Sequence, residues 1–208
     1  MRNALLLLAG LLAATPAWAA PTELKVQDSG SFVYALVYKA GMASAVAHDH
    51  IVHAPKLAGS AVYDADNPSG SSINVTINVM DLITDTEELR NKVGLNTELS
   101  DGQRDEILGH IRAKYQLYAE KYTTISFKST SVSGTADKLQ VTGDFTLRGV
   151  TKSITVPLAI SDKGDGVLAR GKFRILQSDY GYDPFSALFG ALKVTDHVDI
   201  VLKVNLQP

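Results

Sequence analysis

Apolar and polar residues alternate one by one along much of this chain. Ile73, Val75, Ile77 and Val79 are interleaved with Asn74, Thr76 and Asn78. Leu139, Val141, Phe145 and Leu147 are interleaved with Gln140, Thr142, Asp144 and Thr146, and Ile154, Val156, Leu158 and Ile160 continue the pattern. Phe173 and Ile175 face away from Arg170, Lys172 and Arg174, while Val198, Ile200, Leu202, Val204 and Leu206 alternate with Asp199, Lys203 and Asn205. A period of two marks strands with one dry face and one wet face. Segments 64–70, 133–138 and 162–166, rich in Asp, Gly, Ser and Asn, supply turns between them. Many strands joined by short polar turns predict a mainly β fold, an antiparallel sheet closed into a barrel so that no long edge is exposed. The wet faces lack the apolar bands and aromatic girdles of a membrane barrel. The apolar faces therefore point inward, toward a core or an oily cavity.

Between residues 85 and 122 the period becomes helical. Ser100 and Gln103 fit a capping box, and Arg104, Ile107, Leu108, Ile111, Tyr115 and Tyr118 then fall on one side of a helix. A shorter helix is expected to begin near Thr84, with Glu87 as its capping partner. Two placements suit this insert between strands: across one end of the barrel, or against the outer wall. The first long strand is apolar on both parities, with Phe32, Tyr34, Leu36 and Tyr38 on one and Val33, Ala35 and Val37 on the other. Burial on two sides, by a cavity and by a helix, would account for it.

Residues 1–19 read as a Sec-type secretory leader rather than as part of the fold. Arg2 begins it, an apolar run from Leu5 to Leu12 follows, and Ala17-Trp18-Ala19 supplies the small residues read at cleavage. One domain over 20–208 is expected to follow, delivered to the periplasm. The chain has 208 residues and no cysteine, so an exported domain would rest on its core and hydrogen-bond ladder alone. The formal net charge of −2 argues against nucleic acid and against a polybasic anchor. No G-x-S-x-G elbow and no thiol nucleophile is present, so an enzyme is not expected.

Three places carry candidate chemistry. The first is His48-Asp49-His50-Ile51-Val52-His53. On a strand, His48 and His50 share a side; they could contact a polar head group, bind a divalent metal with His53, or simply satisfy nearby carbonyls. The second is Arg148 and Lys152 around Gly149, either attracting an anionic group or remaining solvated at a tight turn. The third is the aromatic loop 180–190, which could gate the barrel mouth, dock on a membrane surface, or form a small hydrophobic cluster.

Several of these segments together resemble the YceI family. Asp144-Phe145-Thr146-Leu147-Arg148-Gly149-Val150-Thr151-Lys152 is close to its D-L-T-I-R-G-V-T-K run. Glu120-Lys121-Tyr122 through Phe127-Lys128-Ser129-Thr130 is similar to its E-K-Y-P-x-x-x-F-K-S-T run, with Thr123 replacing proline. Gly59 through Asp64, Phe173 through Tyr182 (with Gln177 in place of an arginine) and Val194 through Val198 resemble further family stretches in the right order. The resemblance implies a lipocalin-like closed antiparallel β-barrel with an elongated apolar tunnel. It also implies a periplasmic binding or carrier protein for a long-chain isoprenoid lipid, polyprenyl phosphate or quinone-like. The bound lipid would be its one expected cofactor, and a homodimer would suit the family. On this reading His48 and His50 would meet the head group, with Phe32, Tyr34, Phe145 and Phe173 as further ligand contacts. The alternative is a histidine-dependent metal-binding or redox-partner module.

Overall fold

A computed structural model of the chain describes residues 21–208; the expected leader lies outside the described residues. The alternating runs form antiparallel strands: β1 (Thr22–Ala40), β2 (His50–Ala54), β3 (Ala58–Tyr63), β4 (Ser72–Asn78), the short β5 (Ile83–Thr84), β6 (Thr124–Thr135), β7 (Lys138–Leu147), β8 (Val150–Asp162), β9 (Val167–Leu176), the short β10 (Ser186–Ala187) and β11 (Leu192–Gln207). Strands β1, β3, β4, β6, β7, β8, β9 and β11 pair in turn, and β11 returns to β1 to close an eight-stranded barrel.

The closure depends on the length of β1. Its first residues pair with β3, from Thr22 opposite Tyr63 to Lys25 opposite Ser60. Its later residues pair on the same side with β2, from Val33 opposite Ala54 to Val37 opposite His50. The register with β11 slips between Gln27 and Phe32, around Asp28-Ser29-Gly30-Ser31. A bulge of this kind bends a strand and increases its twist, and so turns the wall from one neighbour to the next. Strand β5 then extends the β2 flap through Val52 opposite Thr84.

The two ends differ. The turns 64–70, 133–138 and 162–166 lie at one end, where Leu24, Val167 and Leu206 belong to one buried cluster and Val132 and Leu139 to another. The other end receives α1 (Glu87–Lys92) and α2 (Asp101–Arg112). The capping box expected at Ser100 and Gln103 is present, with both reciprocal hydrogen bonds. The shorter helix is capped by Thr86, whose side chain accepts from the Leu89 N–H, rather than by Thr84. Helix α2 stops at Arg112, short of Tyr115 and Tyr118, because Ala113 is extended. Arg112 Nη2 donates to the Met80 and Leu82 carbonyls at 2.6 and 2.8 Å, fastening the helix end to the chain beyond β4.

Candidate functional site

The inward parity of nearly every strand is apolar, and the interior is not filled. A cavity of about 290 Å³ runs through the barrel. That is about twice the ~150 Å³ of an apolar cavity able to admit benzene. Val33, Ala35 and Val37 of β1 line it beside their partners Ala54, Val52 and His50 of β2. Val198, Ile200, Leu202 and Val204 of β11 continue the wall, and Ile107, Ile111 and Leu117 reach it from α2 and the turn that follows. The insert therefore contributes to the end of the cavity. Phe145 and Phe173 both line the cavity and meet edge to face, 5.9 Å between centroids. Polar side chains at the wall are few: His50, His110, Gln116, Ser126, Gln177 and the phenols of Tyr34 and Tyr182.

His50 has a fixed orientation. Its Nδ1 lies 2.8 Å from Oδ2 of Asp85, a side chain with no exposure. Asp85 also accepts from the Ile51 N–H at 3.1 Å, from Thr84 Oγ1 at 3.0 Å and from Arg90 Nη1 at 2.6 Å. Arg90 is itself buried and donates to the Asp49 and Thr97 carbonyls. Burial of Asp85 favours the neutral acid, but the hydrogen bonds from His50, the Ile51 amide and Arg90 outweigh it and hold the carboxyl below its usual range. An ionised carboxylate only accepts, so Nδ1 of His50 carries the proton and Nε2 is the nitrogen left for the cavity.

The second polar assembly ties the lid end together. Arg148 and Gly149 form the β7–β8 turn with φ of 52° and 75°. A Cβ at Gly149 would lie 2.5 Å from the Tyr122 ring, so glycine is required there for both conformation and space. Arg148 donates to the Gly181 carbonyl at 2.5 Å and the Lys114 carbonyl at 3.0 Å, and its guanidinium lies 5.7 Å from the Tyr182 ring centre. The aromatic loop, the chain after α2 and the barrel rim meet at this one side chain. Burial raises the Tyr182 phenol above its usual range and pushes that of Tyr180 up to about 12, with Asp179 adding to the latter.

Of the residues singled out in the sequence, His50, Phe145 and Phe173 come together at the cavity. Tyr34 borders it, but its ring stacks on Phe32 with centroids 5.7 Å apart. Phe32 is on the outer parity opposite Lys203, with the ammonium groups of Lys92 and Lys203 at 4.5 and 5.7 Å from its ring centre. Phe32, expected as a ligand contact, does not line the cavity; Val33, on the other parity, does. His48 precedes β2 rather than sharing a strand face with His50, and their rings are 6.5 Å apart. Desolvation, then the nearness of His50 and Arg90, lowers the His48 pKa. His53 is opposite Tyr34, and its Nδ1 is 3.2 Å from the Val33 carbonyl. Asp85, Arg90 and Gln116 were not singled out as site residues in the sequence, and Gln177 was noted only as replacing an arginine; the His50–Asp85 contact spans 35 positions, beyond any local pattern.

A closed antiparallel barrel with an apolar interior defines a class of ligand-holding β-barrels. The profile of the YceI-like domain matches residues 25–206, and the chain belongs to that family. It is 33% identical to Protein YceI of Escherichia coli O157:H7 over 125 residues, and the same figures hold for Protein YceI of Shigella flexneri. The match spans 56% of this chain and 56% of those relatives' own length. Burkholderia cenocepacia BcnA has the same fold, with a TM-score of 0.65 at 20% identity over 86% of this chain and 98% of that one. The Campylobacter jejuni YceI protein overlays with a TM-score of 0.56 at 16% identity, covering 74% of this chain and 82% of that one.

Proposed function

We propose that this protein is a periplasmic carrier for a long-chain isoprenoid lipid, polyprenyl phosphate or quinone-like. Its tail lies in the barrel and its head group lies near His50. The observation that carries the reading is the cavity itself, an interior walled by aliphatic and aromatic side chains with few polar groups. Transfer of an apolar chain from water into such a space is worth about 0.8 kcal/mol per CH₂ before ordering costs. Affinity should therefore come from tail length, and head-group choice from His50. Phe145 and Phe173 supply aromatic surface to the tail. The competing histidine-metal reading has less support: Asp85 occupies Nδ1 of His50, and among the described residues no group of three or more His, Cys, Asp or Glu side chains is arranged to hold a metal.

The test is a calorimetric titration of the protein with isoprenoid alcohols of increasing length. Affinity should rise with each isoprene unit until the cavity is full, with a negative heat-capacity change. His50→Ala should alter the preference between hydroxyl, quinone and phosphate heads while leaving the length dependence intact. No dependence on chain length would reject the carrier reading.

A further inference from the structure

Among the described residues, the large apolar side chains that remain open to solvent collect at one end. Met42 is 94% exposed, Val46 75% and Leu188 68%, and Phe189 is fully exposed. Met80, Tyr115 and Leu176 are also exposed. Met80 follows β4, Tyr115 follows α2, and Leu176 closes β9, so each is at the lid end of the antiparallel barrel. The four most exposed residues lie on two touching loops. The Ala43 N–H donates to the Ala191 carbonyl at 2.9 Å, and Gly41, at φ 90°, passes so close to that carbonyl that a Cβ would lie 2.4 Å from its oxygen. Leu188 and Phe189 are held at φ of 50° and 54°, where large side chains are uncommon. The fold therefore keeps two bulky apolar residues at a left-handed tip in water, where Asn or Gly would sit without strain.

The charges at the two ends differ. Residues 41–47 and 184–192 carry no charged side chain; Lys39 and Lys193 border these loops, with Asp183 and with Asp49, which accepts from the Lys39 N–H. The turns at the opposite end carry Asp64, Asp66, Asp137, Asp162 and Asp165 against Lys138 and Lys163. The outer wall is charged, as where the exposed Lys172 and Arg174 cover the buried Asp199 on β9 and β11. No helix among the described residues is long and apolar enough to cross a membrane.

From this polarity we infer that the paired loops form a docking tip for a lipid bilayer. Met42, Val46, Leu188 and Phe189 enter the acyl boundary, Lys39 and Lys193 lie at the level of the head groups, and the acidic turns point into water. Phe185 and Val194, which line the cavity, join the tip through the Val194 N–H to Phe185 carbonyl bond at 3.0 Å. The tip thus adjoins the cavity. The inference does not require a lipid cargo, so a barrel emptied by solvent extraction should dock equally well.

Flotation with vesicles of phosphatidylethanolamine and phosphatidylglycerol tests it. The wild-type protein should float with these vesicles and also with phosphatidylcholine, since the apolar tip carries the contact. Leu188→Asn with Phe189→Asn should reduce partitioning by roughly tenfold or more. Asn tolerates the left-handed backbone, so the melting temperature should hold or rise. Met42→Ser with Val46→Ser, on the other loop, should give the same loss independently. Two results would overturn the inference: equal flotation of wild type and both variants, or a wild-type dimer in light scattering that the Asn pair converts to monomer, since the tip would then be a surface between two copies of this chain.

Discussion

His50 is a cavity residue whose character is set by a neighbour it cannot be seen to have in the sequence. Asp85 accepts from it while pairing with a buried Arg90. Removing the carboxylate charge leaves a guanidinium buried without its counter-ion. Asp85→Asn should therefore cost about 3 kcal/mol or more in urea denaturation, and a loss below about 1 kcal/mol would mean that the pair is solvated. The pH dependence has a definite sign. The folded carboxyl is held below its unfolded value of about 3.9, so its contribution is complete above that pH and is lost as the pH falls through the folded value. The gap between wild type and Asp85→Asn should be widest near neutrality and narrow below about pH 4. Asp199 is depressed in the same direction, first by its hydrogen bond from Arg174 and then by those from Lys172 and Tyr38, against the opposing pull of desolvation. Its effect remains in both proteins and cancels in the difference.

At the scale of elements, the lid end is fastened by Arg148 and by the start of α2. Arg148→Ala removes donors to the Gly181 and Lys114 carbonyls together. Its expected cost is about 1–3 kcal/mol, with faster exchange of any bound chain in stopped-flow displacement; unchanged exchange would separate the clasp from access to the cavity. The strands were legible because most have one wet face, and the capping box at Ser100 was legible because it is local. Strand β1 was harder to read. Both its faces are apolar, and the aromatic parity drew the expectation of ligand contact, yet Phe32 is on the outer face beneath Lys92 and Lys203, and Tyr34, which borders the cavity, stacks on it. The small residues Ala35 and Ala54 are inside, where a narrow side chain leaves space. Similarly, helical periodicity continued through Tyr118, but the extended backbone at Ala113 and the turns beyond it ended α2 at Arg112. In the sequence Arg148 reads only as a charge at a tight turn, attracting an anionic group or staying solvated; its bonds to loops more than 30 positions away depend on closure of the barrel.

For the whole molecule, the central feature is space retained inside a closed wall. Side chains around an empty apolar volume lack partners and lose dispersion contacts. Partial filling should then stabilise the empty protein while excluding its cargo. Ala35→Leu, projecting from β1 into the cavity, should hold or raise the melting temperature of the extracted protein and weaken long-chain binding at least roughly tenfold. A lower melting temperature with unchanged binding would place the chain elsewhere. The most direct measurement is native mass spectrometry of the protein purified gently from its source, followed by solvent extraction of whatever it retains. A carrier should give a complex whose added mass is released as a long-chain isoprenoid. Release of a metal ion with no organic ligand, and no uptake of isoprenoids by the emptied barrel, would contradict the reading of the cavity as a lipid site.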